Sequence, residues 1–463
     1  MSSNENTSLE QLISSKPDLV DYFYNDTKSP HGRANPGLLP VPLEHTNWID
    51  EQQAWRRSVV LFDQSYHMPE MFVRGPEALK FLNGIGINSF EGFVPGKAKQ
   101  FVGCNPHGQV IGECVLYYLG DQFFELVSGM PLLNWIEYQA SRGTYDLTIE
   151  RDNTQSVPPI RRKRFRFGMD GPNAWNVFEE AAGGSVPDIK FFNTARVQIA
   201  GVEVVALRHG MAGHKGVELS GDFAQLETVK AELLRIGRKW DLKQGGNLTY
   251  FSASVESGWI GHQVPAIYSS PEMKDYRSWL PANSWEGSSN ISGSFRRDDI
   301  TDYFVTPYDL GYERIMKFDH DFIGREALEK MGPRKRRNVT LVWNDEDIER
   351  VQMSMYRSDV PNKMIRYPTP AYGYQHRDAV LAPDGSTVGY SAICAYTSNE
   401  RKMLSLAVVD NAYAEIGTEL ELLWGEPDGG SRKPQVERHA QTRIRVTVAP
   451  APYPQAVQSM KRA

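Results

Sequence analysis

Cysteine is scarce in this chain: Cys104, Cys114 and Cys394 are the three among 463 residues, an odd number spread too widely for a disulfide framework. No apolar run approaches the roughly 18 residues that cross a bilayer. The opening stretch MSSNENTSLEQLISSKPDLV lacks the basic and then apolar pattern of a secretory signal. These absences exclude a small secreted scaffold and point to a cytoplasmic protein without a membrane partner. The ten histidines form no HxH or HExxH, there is no CxxC, and no metal site is expected. No GxxxxGK[ST] occurs, FLNGIGINSF lacks the third glycine of a dinucleotide fingerprint, and there is no GxSxG elbow. A net charge of -6 argues against a nucleic-acid surface, so the basic clusters RRKRFR (Arg161 to Arg166) and RKRR (Arg334 to Arg337) are expected to be solvated.

What the chain does have is length. At 463 residues it exceeds the size at which one core keeps growing, which predicts two or three domains. The segment EKMGPRKRRN, Glu329 to Asn338, joins a helix end, a Gly-Pro breaker and a charge run, and places a boundary near residue 335. Residues 336–463 hold short alternating runs, RNVTLVW, STVGYSAICAYTS, LSLAVVD, TELELLW and RIRVTVAP, which predict an all-β tail folded as a small antiparallel barrel. Residues 1–335 mix strand patterns such as QVIGECVLYYL with helical ones such as PLLNWIEYQASR and FAQLETVKAELLRIG, so this region reads as α+β. Between about 262 and 300 a stretch rich in Tyr, Trp, Ser, Gly and Pro has weak periodicity and reads as an insertion over a site.

The run TYFSASVESGW sets Tyr250 beside an acid, Glu256, and Trp259 among small residues. Such a set suits a flat aromatic ligand; the alternative is a core tyrosine with a satisfied hydroxyl.

Three further runs, FRFGMDGPNA (165–174), VVALRHGMAGHKGVEL (204–219) and KFDHDFIGREAL (317–328), resemble consecutive signatures of the glycine-cleavage T-protein superfamily of tetrahydrofolate enzymes. FLNGIGINSF and CNPHGQVIGECVLYYL fit that family's N-terminal pattern in order. Within the superfamily, TNWIDEQQAWRRSVVLFDQSYHM (46–68) and GGNLTYFSASVESGW (245–259) resemble the tetrahydrofolate-dependent aryl-methyl-ether O-demethylases, which act on vanillate, syringate and 3-O-methylgallate. The resemblance spans roughly residues 45 to 450. It implies a T-protein-like folate-binding fold, tetrahydrofolate as cofactor and a small methoxylated aromatic acid as substrate, and it leaves the oligomeric state open.

The resemblance also implies roles. Tyr250 takes the place of the family's catalytic tyrosine, a proton donor to the leaving phenolic oxygen, whose ordinary pKa of about 10 matches that of a simple phenol. Glu218 takes the place of the acid that accepts the pterin N–H groups, and Trp259 that of a folate-pocket aromatic. Gln64 and His67 match residues lining the aryl pocket. Two positions depart from vanillate-acting members: Gly129, in LVSGMP, stands where they carry an arginine, and Leu38, in GLLPVP, where they carry a tyrosine. Loss of two large polar side chains makes room for a second methoxy group and favours syringate. Gly112 and Glu113 fall where T-proteins carry a catalytic aspartate, which argues against aminomethyl transfer and gives Glu113 no assigned role. Basic residues such as Arg208 or Lys215 are candidates to meet the glutamate tail of folate, and nothing in the spacing picks one. Two rival readings are a folate enzyme with an amine or sulfonium methyl donor, and a non-catalytic folate-binding protein. Relatives of the latter kind show KGCYxGQE where this chain has HDFIGRE, without cysteine.

Overall fold

Two sheets face each other across a polar layer, and a barrel closes one side of them. The computed structural model describes residues 7–27, 40–153, 161–332, 335–370, 374–434 and 436–462. Leu38 and Arg334 lie outside the described residues.

The first sheet has five antiparallel strands in the order Ala98–Cys104, Val110–Gly120, Phe123–Ser128, Glu70–Arg74, Thr148–Asp152. The second has six, in the order Leu242–Gly245, Val59–Asp63, Arg164–Asp170, Val217–Asp222, Val202–Leu207, Thr194–Ile199. Strand alternation sorts the second sheet's side chains into two faces. Phe165, Phe167, Met169, Val217 and Leu219 pack with the helices Ala174–Ala181 and Leu226–Gly237 in one core. Arg166, Gly168 and Glu218 fall on the other face, toward the first sheet, whose Glu70, Tyr117 and Glu125 meet them.

The basic cluster at 161–166 is therefore solvated only at Arg161 and Lys163. Arg162 and Arg166 are only 6% and 3% exposed. Arg162 pairs with Glu70 at 3.3 Å and Asp152 at 3.1 Å, and Arg166 with Glu125 at 2.6 Å. Every second residue of a strand turns inward, so a basic run on a strand buries alternate members once carboxylates line the opposite sheet.

The barrel is closed and antiparallel, in the strand order Arg336–Trp343, Lys402–Asp410, Thr387–Thr397, Asp378–Leu381, Glu419–Trp424, Thr442–Ala449. Ile444, Val446 and Val448 alternate inward along its last strand, and the fully buried Trp343 and Trp424 meet at 5.3 Å inside. Losing either indole to alanine costs about 3–5 kcal/mol. The tail is not all-β, however: helices Asp345–Arg357 and Gln455–Arg462 belong to it. The first is capped by the Asn344 side chain and carries three acids in its first turn, while its buried apolar positions, Ile348 and Val351, are too few to stand out in sequence.

Residues 262–300 contribute Val264, Ile267, Tyr268, Tyr276 and Leu280 to the largest core, together with Phe23 and Trp135. Their periodicity is weak because the buried side chains come from turns and one short helix, Lys274–Trp279. Among the described residues no helix is long and apolar enough to cross a membrane.

Candidate active site

The site lies between the two sheets, and its electrostatic anchor is Glu218. This residue sits in an inner strand of the second sheet, opposite Gly168 on one side and Leu207 on the other. Its Oε1 lies 2.9 Å from His209 Nδ1, and its Oε2 accepts the Tyr117 hydroxyl at 3.1 Å, with Arg166 at 3.9 Å. Burial opposes a charge on Glu218, yet the hydrogen bond and charge of His209, then Arg166 and Tyr117, outweigh it and hold the pKa down to about 2. Burial likewise opposes a proton on His209, and Glu218 with Asp170 behind it raises the imidazole above its ordinary value. The result is an ionised carboxylate that stays partly exposed, at 14%.

Gly168 explains part of the FRFGMDG motif. A Cβ there would stand 3.0 Å from Gln64 Nε2 and 3.2 Å from its Oε1, so the glycine is what lets the Gln64 amide lie over the sheet beside Glu218. Gln64 Oε1 is buried without a hydrogen-bond partner. An orphaned acceptor next to an ionised carboxylate is an acceptor set that fits the N–H edge of a pterin, so these residues suit tetrahydrofolate.

Tyr250 stands on the helix Asn247–Ser257, which opens at Gly246 and stops at Gly258 in a left-handed conformation, φ 73°. A Cβ on Gly258 would come within 2.8 Å of Pro452, so backbone conformation and packing both call for glycine. The Tyr250 ring meets His67 at 4.5 Å and Phe62 at 5.2 Å, both edge-on. A narrow crevice there is lined by Val41, Phe62, Tyr66, His67, Asn247 and Tyr250. Burial raises the Tyr250 phenol above its ordinary value, the charge of Glu218 adds to this, and the Gln64 side chain opposes it. His67 is held neutral by burial, down to about 4.

Trp259 follows the helix and donates its indole N–H to Glu113 Oε1 at 3.0 Å. Glu256, the acid of TYFSASVESGW, is turned away: it pairs with Arg56 at 2.8 Å and accepts from Thr397 at the barrel. Gly129 is exposed at the N-terminus of the helix Met130–Arg142, where a Cβ would meet only Pro131 Cδ, at 3.7 Å. Arg208 donates to the Ile189 carbonyl at 3.2 Å, and the Lys215 ammonium lies 3.5 Å from the centre of the Trp175 ring.

Sequence reasoning missed His262 and Tyr374, whose rings meet at 4.2 Å, with Trp285 packed edge-on against Tyr374 at 5.7 Å. Burial pushes His262 down to about 3, and neighbouring His67 and Arg377 add to the shift. The two come from the weakly periodic segment and from the approach to the barrel, so no local pattern links them. Among the described residues no cluster of His, Cys, Asp and Glu is arranged to hold a metal ion.

Two sheets and a barrel, with a half-buried glutamate on the inner face, form an architecture of the T-protein kind. The fold matches that of the glycine cleavage system aminomethyltransferase T from Bartonella henselae, with a TM-score of 0.60 and 17% identity, over 90% of this chain and 92% of that one. Residues 22–264 match the GCVT N-terminal domain, and the chain belongs to this family. It is 44% identical to a syringate O-demethylase from a Sphingobium species, over 96% of both chains. It is 32% identical to a sesamin methylene transferase from a Sinomonas species, over 89% of this chain and 90% of that one.

Proposed function

We propose that this protein is a cytoplasmic tetrahydrofolate-dependent aryl-methyl-ether O-demethylase. Its favoured substrate is syringate, and its products are 3-O-methylgallate and 5-methyltetrahydrofolate. The observation that carries the reading is Tyr250, which touches His67 on its aryl side and feels the charge of Glu218 on its folate side. The relatives in aryl ether and methylene transfer support the same chemistry. The free, buried state of all three cysteines accords with a reducing compartment. We place the boundary between the folate-binding region and the barrel near residue 335.

Bound tetrahydrofolate supplies a nucleophilic nitrogen as methyl acceptor. Glu218 and Gln64 orient its pterin, and Trp259 walls the pocket. His67 and Gln64 position the substrate's phenolic edge. Breaking the methyl–oxygen bond as the new methyl–nitrogen bond forms would leave a phenolate, to which Tyr250 donates its proton; the proton displaced from the acceptor nitrogen would restore the Tyr250 hydroxyl. A buried tyrosine is a weaker acid than a free one, but the leaving phenol shares the same desolvation, so the two stay matched in proton affinity. The room left by Gly129 accommodates the second methoxy group of syringate.

Anaerobic incubation with tetrahydrofolate and either syringate or vanillate, followed by chromatography, tests this. The expected outcome is equal amounts of 5-methyltetrahydrofolate and demethylated phenol, with syringate the better substrate. Bound folate with neither product would move the reading to an amine or sulfonium donor, or to a binding protein.

A further inference from the structure

Glu113 has no place in the chemistry above, yet both of its carboxylate oxygens are tied to side-chain donors from three parts of the fold. Oε1 accepts from Trp259 Nε1 at 3.0 Å, Gln263 Nε2 at 3.1 Å and the Tyr312 hydroxyl at 2.9 Å. Oε2 accepts from the same hydroxyl at 2.9 Å and from the Gln100 amide. These partners come from the neighbouring strand, from the turn after the Tyr250 helix and from the segment before residue 317. All are neutral donors, and a carboxylate is the one side chain that accepts from all of them without offering a donor in return. Burial pushes the Glu113 pKa up, and the four partners oppose it.

The strand Val110–Gly120 gives this cluster its meaning. Side chains at 113, 115 and 117 share one face, and Tyr117, about 13 Å from Glu113 at strand rise, is the residue that donates to Glu218. One strand face therefore touches both of the folate-facing groups, the acid through Tyr117 and the indole through Glu113. We infer that Glu113 is a positioning residue that fixes the Trp259 indole at a set distance from Glu218, so that the pterin pocket has a defined width, and that it carries no proton in the reaction. Both of its oxygens are occupied by donors, which leaves no lone pair well placed to take a proton from a ligand.

The inference rests on the folate reading, and one set of measurements separates the two. Tetrahydrofolate binding by calorimetry and steady-state kinetics are compared for wild type, Glu113→Gln, Trp259→Phe and the double variant. A glutamine presents one acceptor and an unwanted donor to this cluster, so Glu113→Gln should raise the tetrahydrofolate Kd about tenfold, with kcat at saturating folate within threefold and the pH profile of kcat unmoved. The double variant should bind no worse than Trp259→Phe, because both changes remove one device. A hundredfold loss of kcat with Kd unchanged, or additive losses in the double variant, would overturn the role given to Glu113. If Glu113→Gln does not fold, Gln263→Met and Gln100→Met each delete one donor and are judged by the same split. A wild-type protein that fails to bind tetrahydrofolate overturns the folate reading itself; wild-type binding with no response in these variants overturns only the positioning role.

Discussion

Glu218 and Glu113 are two half-buried carboxylates tied to one strand, and their surroundings drive them in opposite directions. Glu218 is ringed by His209, Arg166 and Tyr117 and is held ionised down to about pH 2. Glu113 is ringed by two amides, an indole and a phenol, and burial pushes its pKa up. Desolvation is the first influence on both; what differs is whether the compensating groups carry charge. A carboxylate balanced by cations keeps its charge available to a ligand, whereas one balanced by neutral donors spends its lone pairs on its neighbours. The pair teaches that a carboxylate's role in a site is read from its partners rather than from its position beside a ligand.

The comparison can be broken most sharply at the group between the aryl and folate sides. Tyr250→Phe should keep the fold and cut turnover by about 10²- to 10⁴-fold, the range of general acid catalysis. Unchanged turnover would remove Tyr250 from the chemistry. Glu218→Ala deletes the charged acceptor and strands His209 and Arg166, so the tetrahydrofolate Kd should rise by about 10²-fold, two charge-assisted hydrogen bonds' worth. A Kd equal to wild type would show that the pterin is held elsewhere.

Titration sharpens the contrast. Glu218 has its pKa depressed in the folded state, so its stabilisation is full above the ordinary carboxylate value of 4.5 and fades as pH falls toward 2, by about 3 kcal/mol in all. His67, depressed to about 4, acts in a neighbouring window: the unfolded chain takes up its proton first, so stability falls as pH drops from 6.5 to 4. Urea midpoints measured against pH should show a flatter limb between 2 and 4.5 in Glu218→Gln, and a flatter one between 4 and 6.5 in His67→Phe. A limb that keeps its slope in the matching variant contradicts that assignment. The smallest effect belongs to Gly129. Gly129→Arg adds a guanidinium at an exposed position with room for it and should shift the ratio of kcat/KM for vanillate over syringate by about tenfold toward vanillate. A ratio unmoved within twofold would detach Gly129 from specificity.

Most of the framework was legible in the chain. The barrel strands at 419–424 and 442–449 announce themselves by alternation, because each buries one face, and 402–410, buried on both faces, by its short apolar run between turns. The helix 345–357 did not, since Ile348 and Val351 supply little apolar signal among its charges. In the site, the individual motifs were visible but their pairing was not. Nothing in HGQVIGECVL says that Glu113 receives the indole of Trp259, 146 positions away. The basic run at 161–166 misled for a related reason. Its burial depends on Glu70 and Glu125, which lie in another sheet, and long-range complementarity of charge leaves no mark on local composition.

The helix that bears Tyr250 is fastened to the barrel as well as to the folate sheet. Val255 packs with Ala395 and Leu404, and Glu256 holds Thr397 and Asn399. The hydroxyl proposed as proton donor is thus held in part from the barrel. On heating, loosening of the barrel should displace it while the folate pocket is still intact, so that working lifetime is governed by the barrel and activity disappears before cofactor affinity does.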